Sequence, residues 1–180
     1  MALPGSEARM VLSYGLRKFL LTLHLLSSLG WAGAVAVFIV LDVMTLTGND
    51  PRLEQLLWLA LAATIWSLLV PLAFASLVTG VLLALGTTWG LFRHYWVLFK
   101  LALTLIATIV LVLYSRTIDA VVAMVADPGS SEMGLPTALL HTGGGLVVLL
   151  LATVLAIYKP RGMTRYGQRK RLEQRGQPVT

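Results

Sequence analysis

Apolar residues run along this chain in long blocks, within which the few polar positions recur every three or four residues. Residues 19–41 contain no Asp, Glu, Lys or Arg, nor do residues 55–92 or 133–158, and from His94 to Ser115 there is one charge, Lys100. A hydrocarbon core of about 30 Å asks for roughly 20 such residues per helix. The blocks are too long, and too poor in alternating polar residues, to be strands of a transmembrane barrel. The pattern predicts an all-α, polytopic membrane protein, a four-helix transmembrane bundle with helices at about 20–46, 55–85, 95–115 and 136–158. That places a transmembrane domain at 19–158 between an N-terminal segment, 1–18, and a basic tail, 159–180.

Polar positions inside the blocks indicate which faces turn inward. On the first helix Arg17, His24, Ser27, Ser28, Trp31 and Asp42 share one face, which is expected to look into the bundle. Gly30, Ala32, Gly33 and Ala34 leave room for a neighbouring helix. The second block would be about 46 Å long as a straight helix, so it must tilt, bend or protrude. Pro71 supplies a bend, because its ring has no N–H for the Ser67 carbonyl. Ala73, Ser76, Gly80, Ala84 and Thr87 then form a small-residue stripe suited to close packing in lipid. Lys100, Thr104, Thr108 and Ser115 define an inward face on the third helix. The stretch "ADPGSSEMG" reads as a turn-rich loop, Pro136 suits the first turn of the fourth helix, and Pro160 and Gly162 end that helix. A mostly flexible tail is expected beyond them.

Composition narrows the chemistry. Hydrophobic residues make up 57% of the 180, charged residues 12%, and cysteine is absent, which removes disulfides and thiolate metal sites together. There is no P-loop, GxGxxG, HExxH or Ser/His/Asp grouping. With three histidines and few interior carboxylates, an acid–base active site has little raw material, so an enzyme is the weaker class. Twelve of the fourteen Lys and Arg residues gather on one side of the predicted bundle, and six of the eight carboxylates on the other. Cations collect on the cytoplasmic side of membrane helices, so both termini are expected to be cytoplasmic. The first apolar block is too long for a cleavable signal and is expected to remain. The cluster Arg17, Lys18, Arg93, Lys100, Lys159 and Arg161 is expected to meet anionic lipid headgroups, with His94 and Lys100 snorkelling to the interface. No nucleic-acid partner is expected.

The candidate chemistry centres on "LLHTGGGLVVLLL". Gly144 and Gly145 follow His141 by three and four residues and lie beside its ring on one helix face. The resulting gap is open to a neighbouring helix or to something flat, such as haem b held on an imidazole or a quinone. His24 is the other candidate ligand. By helix rise it lies more than about 15 Å from His141 in depth, so the two make poor partners for one haem. Met44, Met124 and Met133, all predicted near His141 in depth, are weak candidates for a copper site, since thioethers with an imidazole suit Cu(I). The simpler reading has each histidine tying helices through hydrogen bonds.

At "LTLHLLSSLGWAGA", "LGTTWGLFRHYWVLFKLALTLIATIVLVL" and "LLHTGGGLVVLLLATVLAIYKPRGMTRYG" the chain resembles a group of small, uncharacterised integral membrane proteins of actinobacterial type that carry a domain of unknown function. The resemblance covers nearly the whole chain and implies a four-helix bundle in the bacterial plasma membrane, with no activity to carry over. The segment "LHLLSSLGWAGA" is also similar, over a short stretch, to the first helix of copper-resistance membrane components and related haem-carrying bundles. The second histidine pair of a two-haem cytochrome is missing here, since His94 falls in the interface cluster. The expected function is that of a structural or accessory membrane subunit, as a homodimer or in a larger complex. The alternatives are a haem- or quinone-binding redox protein using His141 or His24, and a path for copper or another ion.

Overall fold

The computed structural model describes residues 12–86, 91–125, 138–160, 162–174 and 176. The protein is an all-α bundle with four helical spans long and apolar enough to cross a membrane. Helix α1 covers Tyr14–Thr47. The second span is α2, Pro51–Thr64, a π-turn at Ile65–Leu69, and α3, Val70–Leu85. Helix α4 covers Tyr95–Val125, α5 Ala138–Tyr158, and a short α6 Arg165–Gln174. Four crossings bring the start of α1, the end of α3, the start of α4 and the end of α5 to one side, called here the terminal side. The opposite side is called distal.

Local chemistry sets the helix ends. Ser13 caps α1 by accepting from the Leu16 N–H, and Asp50 caps α2 by accepting from the Arg52 N–H at 3.0 Å, with Pro51 in the first turn. The bend expected at Pro71 is taken up one turn earlier. The Val70 N–H reaches back five residues to the Ile65 carbonyl, and Ser67 Oγ donates to the Ala63 carbonyl at 2.7 Å. A π-turn widens the helix by one residue and absorbs the missing proline donor without breaking the span.

The core is narrow. Trp31 and Phe38 of α1 meet Trp58 and Leu61 of α2, Ile65 of the π-turn and Ile118 of α4, each at most 2% exposed. Only 17–33% of each span's apolar window is buried inside the bundle, so most of its oily surface faces outward, as a lipid solvent requires. Helix α1 packs most extensively on α3, where Ala73 and Ser76 are buried and Gly30 leaves its missing side chain to Leu72 of α3.

Two expectations need correction. The third helix does not stop at Ser115: it runs ten residues further, and Ile118 and Val121 are buried on that extension. Charged residues there mark the exit from lipid, not the end of the helix. Asp119 accepts from Trp66 Nε1 at 3.1 Å and Arg116 lies over the Trp66 ring, a mixed polar and aromatic contact fit for the headgroup zone. The basic tail is likewise not a loose end, because α6 forms and docks on the bundle. The turn-rich loop, Pro136, Met133 and Arg161 lie outside the described residues.

Candidate functional site

Two buried polar clusters stand at opposite ends of α1. On the terminal half, His24 Nδ1 lies 3.0 Å from the Ser76 carbonyl and 3.1 Å from Thr79 Oγ1, both on α3. The carbonyl can only accept, and Thr79 spends its own proton on the Ala75 carbonyl at 2.6 Å, so Nδ1 carries the hydrogen. Nε2 is left with its lone pair and accepts from Lys100 Nζ of α4 at 3.1 Å. Gly80 makes this arrangement fit: a Cβ there would sit 3.1 Å from His24 Cε1. Beside it Ser28 Oγ and Ser76 Oγ share a 2.7 Å hydrogen bond. One imidazole thus joins α1, α3 and α4. Of the two readings of Lys100, a cation snorkelling to the interface and the first member of an inward face on the third helix, the structure takes the second, with the ammonium as the third member of this knot.

On the distal half, Asp42 of α1 is 1% exposed and accepts at Oδ2 from Thr142 Oγ1 of α5 at 2.8 Å. Tyr114 of α4 is 6% exposed and stacks on His141 of α5, with ring centroids 4.7 Å apart and planes 11° from parallel. Among the described residues, Asp42 Oδ1 and the Tyr114 hydroxyl are buried and have no hydrogen-bond partner. Beside Tyr114 and Thr142 lies a cavity of about 260 Å³, lined almost wholly by apolar groups from α1, the π-turn, α4 and α5. Tyr114, His141, Gly144 and Gly145 are on its wall, and so is Trp31. The cavity reaches the lipid face between α4 and α5, where the lining residues Ile106 and Leu140 are 56% and 73% exposed.

The sequence-predicted residues are therefore sorted by the structure. His141 lies in the first turn of α5, exposed on one side and stacked on the Tyr114 ring on the other. Among the described residues, no atom of another helix comes within 4 Å of a Cβ built on Gly143, Gly144 or Gly145, so these positions do not hold a close helix contact. The triplet instead opens the cavity wall. His141 lies beside Thr142, which bonds Asp42, eighteen residues from His24, so the two histidines are separated by about 27 Å along α1. They do not share a site. Asp42, Thr142 and Tyr114 were not singled out as site residues from the sequence. The available signal was that Asp42 continues the inward face of His24 and Trp31, at the depth of the residue next to His141.

Haem does not fit either histidine. Both ring nitrogens of His24 are taken by protein atoms, and the cavity beside His141 is smaller than the roughly 300–1,000 Å³ that encloses a drug-sized ligand. It takes one ring, not a macrocycle. Met44 and Met124 are exposed on α1 and α4. Met124 is ten residues, about 15 Å of helix, beyond the Tyr114 ring on which His141 stacks, so that thioether and the imidazole are not brought together. No group of three His, Cys, Asp or Glu occurs among the described residues. Between the two polar clusters α1 buries Trp31, Ala34, Val35 and Phe38. Apolar side chains thus interrupt the polar stripe on α1, whereas on α4 Thr104, Thr108 and Ser115 stay buried between the clusters, each hydroxyl donating to a carbonyl of its own helix.

The remaining cluster residues lie on the terminal side. Arg17, Lys18 and Lys159 are exposed there, with Lys18 Nζ over the Tyr14 ring at 4.4 Å. His94 pairs with Met163 in an isolated backbone bridge, and the Arg93 carbonyl accepts from the Thr164 N–H. No protein-family model, curated protein or solved structure matches the chain.

Proposed function

We propose that this is a binding protein of the bacterial cytoplasmic membrane, with both termini inside, that holds a single-ring, lipid-soluble molecule of quinone type in the distal cavity. The observation that carries this reading is the Tyr114 hydroxyl. It is a buried donor without a partner among the described residues, on a residue that lines an apolar cavity opening onto lipid. An unpaired polar group at membrane depth is costly, and a ring carbonyl placed there would accept its hydrogen. The cavity's volume admits one ring, and the gap between α4 and α5 lets an isoprenoid or alkyl chain remain in the bilayer. The structural role expected of both histidines belongs on this reading to His24, whose three-helix knot holds the scaffold of the site.

The test uses Trp31, which lines the cavity. Duroquinone, a tail-less single-ring benzoquinone, titrated into the protein in mild detergent should quench tryptophan fluorescence saturably, and Trp31→Phe should remove most of the saturable part. Gly145→Leu should weaken binding by at least about tenfold while leaving the protein folded, because the glycine's missing side chain meets open space and leucine is the better helix former by about 1 kcal/mol. Quenching that is linear, or saturable but indifferent to Gly145→Leu, would remove this assignment.

A further inference from the structure

Beyond Tyr158 the chain builds a second surface, independent of the distal cavity. We propose that α6 is a binding site for the phosphate of anionic phospholipid headgroups in the leaflet on the terminal side, with its cations positioned by the protein itself. The docking is specific. Lys159 adopts φ 43° and turns the chain out of α5. The Tyr95 N–H then donates to the Gly162 carbonyl at 3.4 Å and the Thr164 N–H to the Arg93 carbonyl at 3.0 Å. Thr164 Oγ1 donates to the Phe92 carbonyl while accepting from the Gly167 N–H at 3.0 Å, so one side chain both caps α6 and pins it to the start of α4. Gly167 is buried against Arg93, and a Cβ there would overlap the Arg93 carbonyl. Only glycine permits this approach.

With Gly167 facing the bundle, Arg165 and Arg169 fall one turn apart on the outward face, and both are exposed. The ion pair within α6 joins Lys170 to Glu173 at 3.5 Å, and among the described residues no carboxylate pairs with Arg165 or Arg169. Around this end of the bundle Tyr158, Tyr166, Tyr95 and Phe92 are all exposed, between 49% and 78%, an aromatic collar of the kind that marks the headgroup zone. Two guanidinium forks held at that level match a phosphodiester oxygen pair. A lipid with net negative charge is favoured over one whose choline cancels its phosphate.

The experiment is amide hydrogen exchange on the full chain in nanodiscs of phosphatidylcholine alone or of equal parts phosphatidylcholine and phosphatidylglycerol. Two cations near an anionic surface give roughly 30-fold in lipid preference. Exchange across 165–174 should accordingly slow by on the order of tenfold in the anionic discs, and the effect should vanish in Arg165→Gln/Arg169→Gln. Gly167→Ala keeps every charge but breaks the docking, so it should lose the effect as well. Exchange in α4 and α5 reports that each variant remains folded. Equal protection in the two lipids would overturn the proposal, whether α6 is unprotected or instead prefers added RNA. A lipid effect that survives Gly167→Ala would also overturn it, since a loose basic tail would then suffice.

Discussion

Replacing His24 by leucine is expected to destabilise the bundle by about 3 kcal/mol or more, whereas replacing His24 and Lys100 together by leucine and methionine should recover most of that loss. The imidazole is the acceptor for Lys100 Nζ at 3.1 Å and the link between α1 and the Ser76 carbonyl of α3. Leucine leaves the ammonium without that acceptor. Breaking one side of a buried charged contact costs about 3–5 kcal/mol, while exchanging both partners for apolar groups is often neutral. The measurement is a double-mutant cycle by thermal unfolding in one detergent. His24→Gln should fall between the extremes, since its amide can offer an oxygen to Lys100. If Lys100→Met alone cost as much as His24→Leu and the double variant were additive, the two residues would not be acting as one unit.

Thr142→Val is the second large effect, expected at about 1–3 kcal/mol. The Thr142 hydroxyl is the hydrogen-bond partner of Asp42 in a cluster where Oδ1 is already without one. Valine keeps the shape of the side chain and removes the one proton that the described residues offer to that carboxyl. Asp42→Asn, by contrast, retains an acceptor for Thr142 and adds an N–H near the Tyr114 hydroxyl, so it should cost less. Melting temperatures of the two variants settle the order. A larger drop for Asp42→Asn would mean that the carboxyl is held by something other than Thr142.

The four spans were legible in the sequence because lipid imposes one rule on every position of a span. Long uncharged blocks can be nothing else in a chain of this composition. The ends were less legible, for a reason visible at Arg116 and Asp119: once a helix leaves hydrocarbon, charges no longer oppose it, and α4 continues with Ile118 buried. The tail misled in the opposite way. Its basic residues read as a solvated end, but docking depends on Thr164 and on the bare backbone of Gly167, neither of which leaves a periodic trace. At the site, the inward face of His24 and the small-residue stripe through Ser76 and Gly80 could both be read, and the structure brings these residues together. Lys100 and His24 both read as inward-facing on the same half of the bundle, but their direct contact could not be read, because one sequence carries no information on which faces of α1 and α4 meet. The glycines beside His141 suggested a gap, and they line one. The Tyr114 ring on its wall comes from another helix and was invisible for the same reason.

For a ligand of the kind proposed, the sideways opening between α4 and α5 decides how the cavity is supplied. A molecule that enters there never returns to water, so its binding competes with dissolution in the surrounding acyl chains, which are nearly as apolar as the cavity wall. Burial of the ring therefore contributes little, and selectivity falls to the polar contacts. The concentration that matters is the mole fraction of the compound among lipids, and a hydrophobic pool held entirely in the bilayer can fill by mass action a site whose affinity, expressed per litre of cytosol, would look negligible.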